Sequence, residues 1–487
     1  MDHRGGFGKV PRVDALVDEV DRSPEGPQVG AFFDFDGTLI YGFSAIALQM
    51  ARLRRGDVSP HELVHALRTG VGLVLGQADF DAVISVLGRA WRGRPVEEID
   101  EIGRRLFKEK LAGRVYPEAR ALVAAHHRKG HTVVLASSAL SFQVQAMADD
   151  LNIEHVLCTR FEAVDGKLTG AIAGPHLWGA GKRRAVEELA AEHGVDLGQS
   201  FAYADGGEDV GLLELVGHPR PTNPTRGLER EAREREWPIH RFRGRGPATP
   251  ELAVRHVAAL GGFLTATATG IGLGLLNRNK ADAVNTMVSV GSDLSLALAG
   301  IHLHVIGEEH VWSHRPAVFL FNHQSAVDPL LLMALLRRDV TAVAKKELRS
   351  NPVVRLVGAL ADAVFIDRAD SQGAVAAMRP LVEEALQRGK SLAVAPEGTR
   401  SGTGRLGPFK KGAFRLAMAG RVPLVPIVFR NANDVWPLGT QFMRPGTVDV
   451  VVHAPISTDD WTDANLDARI TAVRDLYLDT LTNWPER

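Results

Sequence analysis

The chain has 487 residues, too many for one ordinary core at roughly 100 to 200 residues per domain, so two domains are the starting expectation. Hydrophobic residues make up 45% and charged residues 24%, a globular composition that excludes disorder on a large scale. A formal net charge of -1 excludes global attraction to nucleic acid, so no nucleic-acid partner is expected and any anionic ligand must be met by local basic clusters.

The single cysteine, Cys158, excludes an internal disulfide framework and fits a reducing cytosolic setting. It reads as a small buried residue after a strand. The opening MDHRGGFGKVPRVDALVDEV has charge but no apolar core of about 7 to 15 residues, so no secretion signal is expected and the enzyme parts should face the cytoplasm.

Residues 1–28 are polar, and the first strand character is Val29 to Phe35, VGAFFDF. From Ser44 to about Leu122 the apolar spacing is helical, as in IALQMARL and FDAVISVLGRAW, which predicts a helical insertion before the strand HTVVLASS at 131–138. Strands and helices then alternate through FAYADGGED at 201–209, implying a parallel sheet with helices on both faces. Between Arg226 and Pro250 a charged helix gives way to an Arg, Gly and Pro stretch, which places a domain boundary near 245. The expected division is a polar segment 1–28, a first domain 29–245 with a helical cap at about 44–125, a linker with apolar helices at 246–310, and a second domain 311–487.

Val257 to Leu276 carries no charge over 20 residues, with five glycines and three threonines. Three readings stay open: a membrane-spanning helix, an interfacial helix hairpin with Met287 to Val305, and a buried helix. Gly270 and Gly274 form a GxxxG pattern within it. From Ala317 onward, strands such as AVFLF, SLAVA and PLVPIVF alternate with helices, so the second unit is also α/β.

Asp34 and Asp36 stand at the end of an apolar strand in AFFDFDGTL, where parallel sheets bind ligands. With Ser137 after TVVLA, Lys182 in GAGKRRAV, and Asp205 and Asp209 in YADGGED, the chain resembles the haloacid dehalogenase superfamily of phosphatases. The resemblance implies a Rossmann-like parallel sheet, with the helical insert similar to the cap of the phosphoserine phosphatase branch. It implies that Asp34 attacks phosphorus, that Asp36 protonates the leaving oxygen and then activates water, and that Ser137 and Lys182 hold phosphoryl oxygens. Mg²⁺ would bind Asp34, Asp205 and the Asp36 carbonyl, with Asp209 completing the acidic motif. The chain departs from that branch at Phe43, where a Glu binds the substrate ammonium, and at Ala204 and Gly206, where related sequences often carry serines.

In FLFNHQSAVDPLLL, His323 and Asp328 would face about 140° apart on a regular helix, so they need a loop or helix start to meet. Asp328 before Pro329 also reads as a helix cap. With FIDR ending at Arg368, PEGTRS at 396–401 and VPLVPI at 422–427, these residues resemble the 1-acylglycerol-3-phosphate acyltransferase family, PlsC-like enzymes. The resemblance implies that His323, oriented by Asp328, deprotonates an acceptor hydroxyl that attacks a thioester of acyl-CoA or acyl carrier protein. Arg400, Lys345 or Lys346, and Arg368 would bind the acceptor phosphate. Glu397, Gly398 and Thr399 would shape the pocket, where a backbone N–H helps hold the oxyanion. Lys410 and Lys411 read first as solvated surface charges, and only second as ligands.

The order phosphatase then acyltransferase looks like bacterial fusions of phospholipid synthesis. The expectation is phosphatidate synthesis from lysophosphatidate, at the cytoplasmic face of the inner membrane, joined to a Mg²⁺-dependent phosphomonoesterase. The alternatives are another acceptor, such as glycerol-3-phosphate, and a degenerate, regulatory or scaffold phosphatase fold.

Overall fold

The computed structural model describes residues 13–55, 88–345, 350, 355, 358–360, 363–366, 380, 384, 387–403 and 405–485. The chain divides into two compact units, Met1–Pro247 and Ala248–Arg487.

The first unit carries a six-stranded sheet in the order β4-β3-β2-β1-β5-β6. The strands are β1 (Gly30–Phe33), β2 (Thr132–Leu140), β3 (His155–Val164), β4 (Lys167–Ala173), β5 (Phe201–Ala204) and β6 (His218–Pro221). All neighbours run parallel except the β3/β4 hairpin. Successive side chains of a strand point to opposite faces, and here both faces are apolar. Ala31 and Phe33, Val133 and Leu135, and Phe201 and Tyr203 enter one core; Phe32, Val134, Ala136, Ala202 and Ala204 enter the other. Phe33 and Tyr203 stack at 4.4 Å between centroids, fixing β1 against β5. Cys158 is buried, but within β3 rather than after a strand.

The described part of the insert is helical: α1 (Val13–Asp21) precedes the sheet, then come α2 (Ser44–Arg55) and α3 (Val96–Leu106), followed by α4 (Pro117–Arg128). Helices α5 (Ser141–Asp150) and α6 (Ala180–His193) cross over between strands, and α7 (Arg226–Glu234) follows the last.

The second unit opens with α8 (Pro250–Leu276), 27 residues long and apolar enough by length and composition to cross a membrane. One face is buried through Ala259, Phe263, Ala266, Thr267, Gly270 and Gly274. The opposite face leaves Val254, Val257, Leu260, Leu264, Leu273, Leu275 and Leu276 exposed. The two glycines have a local packing role: a Cβ at Gly270 would sit 2.8 Å from the Ala283 carbonyl, and one at Gly274 2.9 Å from the Ala283 Cβ. Their missing side chains let the helix Lys280–Thr286 pack closely on α8. The second apolar segment ends earlier than Val305. Helix α9 (Ser292–Ala299) stops at Gly300, whose left-handed φ of 73° turns the chain into the strand β7 (Ile301–Ile306).

The sheet of this unit has the order β10-β9-β11-β8-β12-β13-β7. Its further strands are β8 (Val318–Phe321), β9 (Val340–Lys345), β10 (Val364–Ile366), β11 (Ser391–Val394), β12 (Leu424–Phe429) and β13 (Gly446–Val452), with β12/β13 antiparallel and the other pairs parallel. Its helices include α10 (Asp328–Leu336), α11 (Lys411–Gly420) and α12 (Leu466–Thr482). The same alternation separates Phe319, Ile427 and Phe429 in one core from Val318, Leu320 and Val428 in the other.

Candidate active sites

In the first unit, the carboxyl ends of β1, β2 and β5 lie side by side. Phe33 is level with Leu135 and with Tyr203, so Asp34 and Asp205, which follow the ends of β1 and β5, and Ser137, in the last residues of β2, lie toward one edge of the sheet. Lys182, buried in the first turn of α6, donates to Asp34 Oδ1 at 2.8 Å and to Asp209 Oδ2 at 2.9 Å. Asp36 accepts from the Ser44 N–H at 2.7 Å and from its hydroxyl at 2.9 Å, at the start of α2. Gln143 in turn donates to the Ser44 hydroxyl at 3.2 Å. Ser137 is buried, and its oxygen accepts the Ala139 N–H at 3.1 Å.

Gly37 sets the spacing of the acidic residues. Its φ is +76°, and a Cβ there would fall on the Asp205 carboxylate, so the DFDG turn must have glycine at this place. The Gly37 carbonyl accepts from Asn223 Nδ2 at 3.1 Å.

Four carboxylates crowd together here, two of them on the Lys182 ammonium, and burial and mutual repulsion raise three of the four. Burial, then the Asp34 charge, pushes Asp36 up to about 7. Burial also raises Asp205 well above the usual carboxylate range, again with Asp34 adding to it. Asp209 is pushed up to about 7 by burial, with Lys182 opposing. Burial alone would lower Lys182, but Asp34 and Asp209 outweigh it and hold the ammonium charged.

Among the described residues no three His, Cys, Asp or Glu side chains converge as a metal cluster. Mg²⁺ requires less, since it takes one or two carboxylates and keeps several waters. Asp34 and Asp205 with the Asp36 carbonyl meet that need, and the excess negative charge is what a hard dication would neutralise. Asp209, the further member of the acidic set, shares Lys182 with Asp34.

In the second unit, β8 ends at Phe321 and the loop 322–327 brings His323 back onto the start of α10. His323 Nδ1 and Asp328 Oδ2 lie 2.8 Å apart. The same oxygen accepts the N–H groups of Gln324 at 2.8 Å and Ser325 at 2.9 Å. Asp328 is the first residue of α10, and its fully buried carboxylate holds the loop before the helix rather than capping the helix itself. Among the described residues no hydrogen bond occupies His323 Nε2.

Two contacts that hold this loop were not anticipated from the sequence. The Asn322 side chain pairs with Phe429 of β12 like a strand neighbour, donating to its carbonyl at 2.8 Å and accepting its N–H at 2.7 Å. The Ser325 hydroxyl donates to the Trp436 carbonyl at 2.7 Å. Asparagine directly before the histidine was the available signal.

Glu397 is buried and bridges two loops, accepting the His323 N–H at 2.9 Å and the Gly407 N–H at 2.8 Å. Burial raises its carboxyl, although both hydrogen bonds work against that. The Gly398 N–H, the expected oxyanion donor, is already engaged: it donates to the Ala395 carbonyl at 3.1 Å. Thr399 and Arg400 are exposed on the same turn. Lys410 lies against Gly398, whose φ is +73° and whose absent Cβ would stand 3.1 Å from the ammonium. Lys411 pairs instead with Asp467 at 2.8 Å. Of the expected basic ligands, Lys346 and Arg368 and the side chain of Lys345 lie outside the described residues.

Comparison with known proteins separates the chain at the same place. Residues 31–214 match the family of haloacid dehalogenase-like hydrolases, and residues 302–430 match the acyltransferase family. A probable phosphatase of Mycobacterium tuberculosis is 33% identical over 243 residues, which cover 48% of this chain and 84% of that protein. A 1-acyl-sn-glycerol-3-phosphate acyltransferase of Limnanthes alba is 36% identical over 188 residues, covering 39% of this chain and 66% of that enzyme. The chain thus spans just under two thirds of the plant enzyme's length. The crystal structure of the 1-acyl-sn-glycerophosphate acyltransferase PlsC of Thermotoga maritima aligns with 49% of this chain and 97% of its own, at 20% identity and a TM-score of 0.42.

Proposed function

We propose that this chain, which belongs to the haloacid dehalogenase-like hydrolases through its first unit and carries an acyltransferase domain in its second, makes phosphatidate from lysophosphatidate and hydrolyses a phosphate monoester at a separate site. The observation that carries the first activity is the 2.8 Å pairing of His323 Nδ1 with a buried carboxylate, which leaves Nε2 as the ring nitrogen without a hydrogen bond among the described residues, on a residue whose carbonyl accepts the N–H of Ser401, in the 396–401 turn, at 2.9 Å. With the proton held on Nδ1, Nε2 has a lone pair for the acceptor hydroxyl. The hydroxyl oxygen attacks the thioester carbonyl, the proton passes to Nε2, and the collapsing adduct releases thiolate, which takes that proton. Asp328 stabilises the imidazolium that forms between these steps. Arg400 and Lys410 supply positive charge for the acceptor phosphate on the same turn.

At the phosphatase site, Asp34 attacks phosphorus through its Oδ2 oxygen, because Oδ1 is taken by Lys182. Asp36, raised to about 7, holds a proton near neutrality and gives it to the leaving oxygen, then takes one from water to release phosphate. Lys182 and Ser137 hold the phosphoryl oxygens. Mg²⁺, bound by Asp34, Asp205 and the Asp36 carbonyl, would supply charge neutralisation around the transferring group.

The exposed apolar face of α8 suits residence at a membrane surface, where the acceptor lipid is found. The inner membrane, with both sites on the cytoplasmic side, is the location this reading assigns.

Offering labelled acyl-CoA together with lysophosphatidate and glycerol-3-phosphate in mixed micelles tests the acceptor. Label should appear in phosphatidate. Label in lysophosphatidate alone would assign glycerol-3-phosphate as the acceptor instead.

A further inference from the structure

The mouth of the first site has a chemistry that neither catalytic scheme uses. Helix α2 begins on Asp36, through the two Ser44 hydrogen bonds. Directly before Ser44 stands Phe43, and Ile46, Met50 and Leu53 follow at spacings of three, four and three residues, which line one face of a helix. All four side chains are between 45% and 52% exposed. The intervening Ala47 and Leu48 are buried, so the core takes the other side of α2. At a 1.5 Å rise per residue the apolar stripe runs about 15 Å away from the catalytic carboxylates.

A cation stands where the stripe begins. Gly42 accepts the Gly37 N–H at 3.3 Å, which ties it to the DFDG turn, and Arg114 Nη1 lies 3.8 Å from the Cβ position of Gly42. Among the described residues no carboxylate pairs with this guanidinium. The order outward from the carboxylates is therefore a phosphate-binding edge, a guanidinium, and an apolar track.

We infer that the phosphatase site takes a phosphate monoester carried on an acyl or alkyl chain, with the chain lying along Phe43, Ile46, Met50 and Leu53. A small polar phosphate ester would leave this stripe in water, whereas an anionic amphiphile covers it, with its headgroup at the Arg114 end where the stripe begins. Phosphatidate and lysophosphatidate are esters of this class, so the substrate and product proposed for the second unit match the first. This inference rests on the phosphatase reading above.

The test measures phosphate release by the full-length protein with Mg²⁺ and without acyl donor. The substrates are an aryl phosphate, O-phosphoserine and 1-acyl glycerol phosphates with four-, eight- and twelve-carbon chains, all kept below aggregation. The rate constant kcat/KM should rise at least ten-fold from the four- to the twelve-carbon ester. In the double variant Ile46→Ser/Met50→Ser, the ratio of twelve-carbon to aryl phosphate kcat/KM should fall at least ten-fold. A flat chain-length series, or an unchanged ratio, overturns the inference while leaving the phosphatase intact. Chain-length dependence seen only in phospholipid vesicles also overturns it, because the stripe would then dock on a surface rather than on the substrate. If neither aryl nor lipid phosphate is hydrolysed by wild type beyond the level of Asp34→Asn, the phosphatase reading itself fails and this inference with it.

Discussion

Replacing Asp328 with Asn and with Ala should give two different failures. Three donors converge on Oδ2: the His323 ring and the N–H groups of Gln324 and Ser325. The other oxygen, Oδ1, is buried without a partner among the described residues. In Asp328→Asn the amide oxygen must stay at the Oδ2 position, because two backbone donors cannot face an NH₂ group. The imidazole then keeps its tautomer and loses only the negative charge beside it. A hydrogen bond to a charged group contributes about 1.5–3 kcal/mol, so its loss in the transition state should cut kcat by about 10- to 150-fold. The buried NH₂ adds an unsatisfied donor and should lower stability by about 1–3 kcal/mol. Asp328→Ala leaves all three donors unpaired, about 3–9 kcal/mol at the same rate, which approaches the whole stability of a domain. Steady-state acyl transfer combined with urea denaturation separates the two variants. An Asn variant with unchanged kcat would refute the electrostatic role of Asp328. A folded Ala variant with stability near wild type would refute the accounting of the loop.

Other perturbations read different parts of the molecule. Chelation with EDTA should abolish phosphate release and leave acyl transfer unchanged; loss of both would contradict a metal-free step at His323. Burial, followed by the Arg220 charge, pushes His240 down to about 4, so the unfolded chain binds a proton between about pH 6.5 and 4 that the folded chain does not. Stability should therefore fall on acidification, by about 2 kcal/mol from this residue between pH 7 and pH 5. The urea midpoint of His240→Gln, measured across that range, should show a shallower slope than wild type. On α8, Gly274→Val should destabilise by about 1–3 kcal/mol because its side chain meets Ala283, whereas Gly272→Ala has open space and should stabilise by up to about 1 kcal/mol. Equal melting temperatures for the two variants would contradict the close packing of α8 on Lys280–Thr286.

The acidic turn at the end of β1 and the strand runs of both units were legible because they are local signals. An apolar run buried on both faces cannot alternate with polar residues, and carboxylates after it fall on the ligand edge of a parallel sheet. Asp34, Asp36, Lys182 and Asp209 are accordingly brought together. What stayed hidden depended on partners that only the fold brings together. The pairing of His323 with Asp328 was expected from the motif, whereas the Gln324 and Ser325 N–H groups on the same oxygen, though near in sequence, are only defined once the loop folds back. The Asn322 pairing needs Phe429, more than a hundred residues on. Gly270 and Gly274 suggested helix association in a membrane, while their close neighbour is the short helix that follows α8. Lys410 read as a surface charge because nothing in FKKGA distinguishes it from Lys411, and only the left-handed turn at Gly398 brings one of them to the loop.

The most direct test of two active sites on one chain is a pair of assays on three preparations: wild type, His323→Ala and Asp34→Asn. Each is given labelled acyl-CoA with lysophosphatidate, and separately an aryl phosphate with Mg²⁺. The account predicts that His323→Ala loses labelled phosphatidate and keeps phosphate release, and that Asp34→Asn does the reverse. Folded wild type lacking either activity, or a single substitution that removes both, would contradict it.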